Sequence, residues 1–214
     1  MCARPLIILG ARTQAPVIAD WVSEISGFRV THFVENMERE RCRGTLEGLP
    51  ILWVDDVKQL VESHCAVCAL GSTHRSRFIE QVAAFGMRFA TPMHPSAIVS
   101  PKCTIGEGTV VSPGVIIAAF THLGRHVLLN RGALVGHNVE IGDYVTIGPG
   151  ANIAGFSRIG EATYIGMGAI VLEQTTVGAH SIVGAGAVVN RDVPDNVTVV
   201  GAPARVIKEN ISGL

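Results

Sequence analysis

From Val99 to Val189 every sixth residue is aliphatic, sixteen positions in a row and no insertion among them: Val99, Ile105, Val111 and Ile117 open the series, and Val171, Val177, Val183 and Val189 close it. The residue two before each is Ala, Cys, Thr, Val or Ser. A helix needs apolar residues at a spacing of about 3.6, and a meander alternates with a period of two between irregular turns. Neither yields a strict six. A hexad repeat of this length predicts a parallel β-helix.

The first ninety residues follow another rule. "PLIILGA" is an apolar run ending in glycine, and "APVIADWVSEI" behind it has the pattern of an amphipathic helix. "FRVTHFVEN" and "AVCALGS" read as further strands, followed by a helical "RSRFIEQVAAFG" and a short "MRFATP". Strands alternating with helices predict a small, mostly parallel α/β sheet. The boundary falls near "MHPSAIVS", which divides the chain into residues 1–93 and 94–214.

The net charge of −1 carries no nucleic-acid footprint. No apolar run approaches the roughly 18 residues that span a bilayer, and no basic n-region precedes an apolar h-region. A soluble, cytosolic protein is expected, without membrane or nucleic-acid partners. Five cysteines, Cys2, Cys42, Cys65, Cys68 and Cys103, form no regular framework. Cys65 and Cys68 make a C-x-x-C inside a strand pattern, and the core explains them better than metal or redox chemistry does.

The hexads "TIGEGT", "EIGDYVTIGPGA" and "VGAGAVV" resemble those of the hexapeptide-repeat acyltransferases. That resemblance implies a left-handed β-helix with three hexads to a coil, so that residues 18 apart lie one above the other. The joint "HPSAIVS" and the closing "NVTVVGAPARVI" extend the resemblance over nearly the whole chain. They are similar to those of the bacterial sugar acyltransferases that include sialic acid O-acetyltransferases and the N-acetyltransferases of nucleotide-linked amino-dideoxy sugars. The resemblance implies a Rossmann-like N-terminal domain that holds the nucleotide sugar, followed by the β-helix. It also implies a homotrimer whose aliphatic outer faces are buried between subunits, with acetyl-CoA in grooves between neighbours.

Within "ALVGHN", His137 aligns with the catalytic histidine of that family, and an exposed histidine on a structural repeat is the plainer alternative. An imidazole near pKa 6.5 can take the proton that an amine or hydroxyl loses on attacking a thioester. Gly155, 18 residues on, matches the glycine whose N–H serves the acetyl carbonyl. The family usually follows its histidine with a carboxylate. Here Asn138 follows, with Glu140 and Asp143 as candidate substitutes, and a second histidine of some members is Thr146.

Asn130 matches a position facing the sugar, or else is a structural asparagine at a corner. Met167 and Ala185 match backbone positions along the pantetheine arm. Pro203 and Arg205 match the tail beside the coenzyme's nucleotide end. At the N-terminus the family's glycine-rich turn is replaced by "GARTQA", which keeps only Gly10 of its glycines. Arg12 there either binds a phosphate or closes the pocket, and Gly10, Arg12, Glu35 and Gly71 are the expected nucleotide-binding lining.

The resemblance therefore implies N-acetylation of a nucleotide-linked amino sugar from acetyl-CoA, without a metal. O-acetylation of a sialic-acid-like hydroxyl, or a degenerate paralogue that only binds nucleotide, are the alternatives. His122, His126 and His137 invite comparison with the zinc histidines of γ-type carbonic anhydrases, but they fall at three different hexad positions. His74 falls just after a strand, where capping by Ser72 or Thr73 accounts for the segment.

Overall fold

The computed structural model describes residues 3–25 and 27–214, so that Cys2 lies outside the described residues. The chain divides into two units, Met1–Gly71 with Arg75–His94 and Ser72–His74 with Pro95–Leu214. Among the described residues no helix is long and apolar enough to cross a membrane.

The first unit is built on one six-stranded sheet. Its strands are β1 (Arg4–Leu9), β2 (Phe28–Glu35), β3 (Thr45–Leu46), β4 (Leu49–Trp53), β5 (Cys65–Cys68) and β6 (Arg88–Phe89), in the order β3-β4-β2-β1-β5-β6. All pairs are parallel except the β3–β4 hairpin. The continuous apolar run of β1 suits a central strand covered on both faces, and Leu6, Ile7, Ile8 and Leu9 are fully buried. Helices α1 (Gln14–Ser23) and α2 (Ser76–Ala83) bury Ile18, Trp21 and Val22, and Phe78, Ile79 and Val82.

The sequence pattern did not predict β3 and β4. They are joined by a two-residue turn in which Glu47 and Gly48 have φ of 49° and 74°, and Glu-Gly is a weaker turn signal than Asn-Gly or Asp-Gly. Cys65 and Cys68 are buried on β5, and burial pushes the Cys68 thiol up to about 11, far from the thiolate a reactive cysteine needs.

In the second unit the chain visits three parallel sheets in turn, two residues at a time. The first sheet holds Ile98–Val99, Ile116–Ile117, Leu134–Val135, Asn152–Ile153, Ile170–Val171 and Val188–Val189. The second runs from Thr104–Ile105 to Thr176–Val177, and the third from Val110–Val111 to Thr198–Val200, closed by an antiparallel Arg205–Lys208. Leu134 pairs with Asn152 and His122 with Glu140, so the register is 18 residues per coil. The sixth-position aliphatics form the core, in which Val111, Leu129, Ile147, Ile153, Ile165 and Val183 are fully buried. Each such side chain contributes roughly 1.5–3 kcal/mol by leaving water. After Val189 the repeat shortens: Val177 bridges Val193 and Ile182 pairs with Thr198, 16 residues on in both cases.

The outer faces differ from the aliphatic faces expected. Only the first sheet exposes an apolar row, Ile98, Ile116, Leu134 and Ile170. The second presents Thr104, His122, Glu140, Arg158 and Thr176, all exposed. On the third, Val110, Leu128 and Thr146 are buried.

Polar side chains also tie coil to coil. Asp143 accepts hydrogen bonds from the Arg125 N–H at 2.7 Å and from its guanidinium at 3.0 and 2.8 Å, one coil below. Burial opposes the charge on Asp143, but these bonds outweigh it and hold the carboxyl below its ordinary range. A depressed folded-state pKa contributes stability above the unfolded pKa, and that contribution is lost as pH falls through the folded one. Asp143→Asn should therefore lower Tm at pH 7 by about 2–4 °C, and the gap from the parent should close as the pH falls below the carboxylate range. Thermal melts across pH 2–7 test this; a gap that does not change with pH would show that the charge contributes nothing.

Candidate active site

His137 and Asn138 form the turn between Leu134–Val135 of the first sheet and Glu140–Ile141 of the second. Asn138 takes φ of 57°, a left-handed conformation that asparagine tolerates well. The turn is locked between its neighbours: Asn138 N–H donates to Ala119 O of the coil below at 3.1 Å, and Phe156 N–H of the coil above donates to His137 O at 3.0 Å. The imidazole is exposed, with the Phe156 ring edge-on at 5.0 Å between centroids and 90° between planes.

Imidazole Nδ1 lies 3.0 Å from Asn138 Oδ1. An amide oxygen has no proton to give, so this contact places the proton on Nδ1 and leaves the Nε2 lone pair free to accept one. Glu140 and Asp143 do not take the missing carboxylate's place. Glu140 pairs with Arg158 at 3.2 Å and Asp143 with Arg125. Thr146 is buried on the third sheet.

Gly155 lies directly above the histidine. A Cβ on Gly155 would stand 3.0 Å from both Cε1 and Nε2 of His137, so any larger residue would press on the ring. The Gly155 N–H has no hydrogen-bond partner among the described residues. Gly136 is needed one step earlier, because a Cβ there would stand 2.7 Å from Gly155 N. The second sheet floors a groove of about 600 Å³ that includes His122, Glu140, Arg158 and Thr176 and runs to its far corner at Gly124, Gly142 and Gly160, with none of His137, Asn138 and Gly155 in its lining.

The other residues expected to bind coenzyme or sugar lie on different edges. Asn130, Met167 and Ala185 are on the corner between the third and first sheets, where Asn130 Nδ2 donates to Ile147 O at 3.0 Å and Met167 is exposed. Pro203 follows a cis peptide bond, and Arg205 donates to the carbonyl of its neighbour Ala204 at 2.7 Å. The remaining histidines are scattered. His122 Nδ1 meets Thr104 Oγ1 at 2.7 Å, and His126 is buried and stacked on Tyr144 at 5.4 Å. Among the described residues no group of His, Cys, Asp or Glu is arranged to hold a metal ion. Ser72 Oγ accepts the His74 N–H at 3.2 Å and donates to the Leu214 carbonyl, but helix α2 starts from Arg75 without the side-chain cap expected from Ser72 or Thr73.

In the first unit, Gly10, Glu35 and Gly71 gather at or just beyond the C-terminal ends of β1, β2 and β5. Gly10 holds φ of 112° and donates its N–H to Val34 O at 2.9 Å, a backbone position that suits glycine. Glu35 is buried, and its Oε1 accepts the N–H groups of Asn36 and Met37 at 2.9 and 2.8 Å. Arg12 is not a free cation. It donates to Glu38 at 2.6 Å, and Arg41 donates to the same carboxylate at 2.7 Å; hydrogen bonds from Arg41 and Arg12 hold Glu38 below its usual range.

Sequence reasoning missed Glu38, and it missed that Lys102, Phe120 and Phe156 share the edge with Asn138. The 18-residue register contained that second fact, since 102, 120, 138 and 156 form one column.

Residues 120–155 and 156–191 each match the bacterial transferase hexapeptide (six repeats) model. The acetyltransferase domain of PglB from Neisseria gonorrhoeae FA1090, solved with acetyl coenzyme A, is 33% identical with a TM-score of 0.89 over 96% of this chain and 100% of that one. A mutant of perosamine N-acetyltransferase from Caulobacter crescentus, in complex with CoA and GDP-perosamine, is 32% identical with a TM-score of 0.88 over 96% and 97%. WeeI from Acinetobacter baumannii AYE is 26% identical with a TM-score of 0.87 over 96% and 100%. No curated protein sequence matches the chain. With its unbroken hexads, its histidine turn and two such relatives matched over almost their whole length, the chain belongs to the sugar acyltransferases of the bacterial hexapeptide-repeat family.

Proposed function

We propose that the protein transfers the acetyl group of acetyl-CoA to the amino group of a nucleotide-linked amino-dideoxy sugar, in the cytosol and without a metal, with His137 as general base. The observation that carries this reading is the His137 turn: an imidazole with Nδ1 held by Asn138 and with Nε2 turned to the space a side chain on Gly155 would fill. The relatives bound to CoA, acetyl-CoA and GDP-perosamine supply the substrate class.

In the reaction the amine lone pair attacks the thioester carbonyl carbon and a C–N bond forms. The carbonyl oxygen takes up negative charge, for which the Gly155 N–H is the donor. His137 Nε2 accepts the proton the nitrogen sheds. The C–S bond then breaks as the carbonyl re-forms, and the imidazolium returns the proton to the departing thiolate.

Residues 1–93 are proposed as a Rossmann-like domain that binds the nucleotide, lined by Gly10, Arg12, Glu35 and Gly71 at the ends of parallel strands. Arg12 is already paired with Glu38, so a phosphate would have to compete with that carboxylate or join it through Arg41. Residues 94–214 are proposed as a left-handed β-helix that assembles as a homotrimer around the apolar row of the first sheet. Two corners flank that sheet: one carries His137 and Gly155, the other Asn130, Met167 and Ala185. Packing first sheets about a three-fold axis brings unlike corners of neighbouring chains together, which is how His137 and the pantetheine contacts come to share one groove. Pro203 and Arg205 are assigned to the coenzyme's nucleotide end.

Asn138 favours an amine over the hydroxyl acceptor of an O-acetyltransferase, because an amide supports the imidazolium less than a carboxylate does. His137→Ala should lower kcat by roughly 10²- to 10⁴-fold with little change in coenzyme affinity, measured by steady-state kinetics and calorimetry. Unchanged turnover would remove His137 from the chemistry. Asn138→Asp should raise the rate with hydroxyl acceptors or shift the pH optimum; no movement in either would mean that the partner of Nδ1 does not tune the base. Leu134→Glu, in the centre of the apolar row, should convert a trimer of about three times the 22.6 kDa chain mass into monomer and abolish transfer. A monomer at full specific activity, seen by sedimentation, would defeat the shared site.

A further inference from the structure

Two aromatic residues on the His137 corner stand half in solvent. Phe120 and Phe156 hold φ of 62° and 59°, a left-handed conformation disfavoured for bulky side chains. As residues they are nevertheless 49% and 54% exposed. The other two corners solve the same turn differently. Between the third and first sheets the position is glycine, as at Gly114, Gly132 and Gly150. Between the second and third sheets His126 and Tyr144 adopt it buried against each other, Ala162 adopts it buried, and His180 adopts it half-buried. Among the described residues, only the His137 corner carries large apolar rings at this turn position that stand half in solvent, a surface open to a ligand.

Below Phe120, one coil earlier in the same column, stands Lys102. Its Nζ lies over the Phe120 ring, 4.9 Å from the centroid, which holds the ammonium against that column of the edge. Lys102 is exposed and forms no ion pair among the described residues. The edge therefore reads upward as ammonium, aromatic face, His137–Asn138 turn, Gly155 and second aromatic ring.

The proposed transfer, on which this inference rests, puts the thioester on the Gly155 side of the imidazole. The attacking amine then comes from the opposite side, where the backbone carries only the small Ala119 and the Phe120 ring stands beside it. The Lys102 ammonium, 4.9 Å from the centre of the Phe120 ring, stands about one coil below Asn138. A phosphate on the anomeric carbon of a sugar lying against that ring comes within its reach.

We infer that Phe120 and Lys102 form the acceptor subsite of the β-helix: Phe120 takes the apolar C–H face of the amino sugar, and Lys102 takes the phosphate attached at its anomeric carbon. A lysine suits the role because it meets phosphate as a point charge with no demand for planar, bidentate geometry. Recognition of the phosphate by the catalytic unit itself would let that unit select glycosyl diphosphates over free amino sugars.

The test compares Lys102→Met, Lys102→Arg and the parent on two acceptors, a nucleoside-diphosphate amino sugar and the phosphate-free methyl glycoside of the same sugar. Lys102→Met should lower kcat/KM for the diphosphate sugar on the order of 10- to 100-fold, mainly through KM, and narrow the preference for it over the glycoside by a similar factor. Lys102→Arg should keep most of that preference, and the KM for acetyl-CoA should stay constant across the set. A preference in Lys102→Met equal to that of the parent, or equal losses on both acceptors, overturns the assignment. A parent that acetylates neither amine defeats the proposed transfer itself. Lys102 is then judged by calorimetric titration with the diphosphate sugar, where equal affinity in parent and Lys102→Met overturns the subsite.

Discussion

Everything at the candidate site depends on how closely one coil of backbone can lie on the next. The coils are joined by ladder bonds such as Leu134 N–H to Ala151 O at 2.9 Å and Gly136 N–H to Ile153 O at 2.7 Å. That spacing leaves no volume for a Cβ at Gly136, where it would stand 2.7 Å from Gly155 N. Gly155 in turn needs its own Cβ absent so that the His137 ring can lie beneath it. The geometry of the His137 turn is thus set by two missing side chains as much as by the imidazole itself. A parallel β-helix supplies such a site at little conformational cost, because the strands on either side of the turn are held by an aliphatic core from which the site takes no residue.

The same prism separates its surfaces by chemistry. One sheet turns an isoleucine- and leucine-rich row outward, the next turns out threonine, histidine, glutamate and arginine, and the third is largely covered. An uncovered aliphatic row along a flat parallel sheet is a liability in water unless something seals it. A charged neighbouring sheet limits the seal to one orientation. Placing His137 on the corner between the apolar and the charged sheet puts it where a partner's surface would end and solvent would begin, which is where a long, part-polar coenzyme can lie.

How much of this was legible in the sequence follows from which interactions are periodic. The core positions, the 18-residue register and the stacking of Gly155 over His137 all repeat, so counting residues recovers them. The same counting places Lys102, Phe120 and Phe156 on the edge of Asn138, although their exposure had to be seen. The hairpin of Thr45–Leu46 and Leu49–Trp53 was missed because its turn is set by Glu47 and Gly48, a pair whose preference for the fold is weak. The Arg12–Glu38 pair was missed because it joins residues 26 apart across strand ends, with no period to mark it. The engagement of Glu140 by Arg158 and of Asp143 by Arg125 likewise depends on charge partners one coil away. It is these partners that leave Asn138 as the side chain at Nδ1.

That last contact bears on which nucleophile the site suits. A carboxylate at Nδ1 stabilises the imidazolium by its full charge, whereas Asn138 Oδ1 offers one hydrogen bond and a dipole. An alcohol must lose its proton as the new bond forms, because a neutral hydroxyl is a poor nucleophile, and so it draws heavily on the strength of the base. An amine attacks through a lone pair it already has. Its proton becomes acidic only once nitrogen is bonded to the tetrahedral carbon, and a modest base can then take it. As the proposed base, with an amide as the partner of Nδ1, His137 is matched to the second demand.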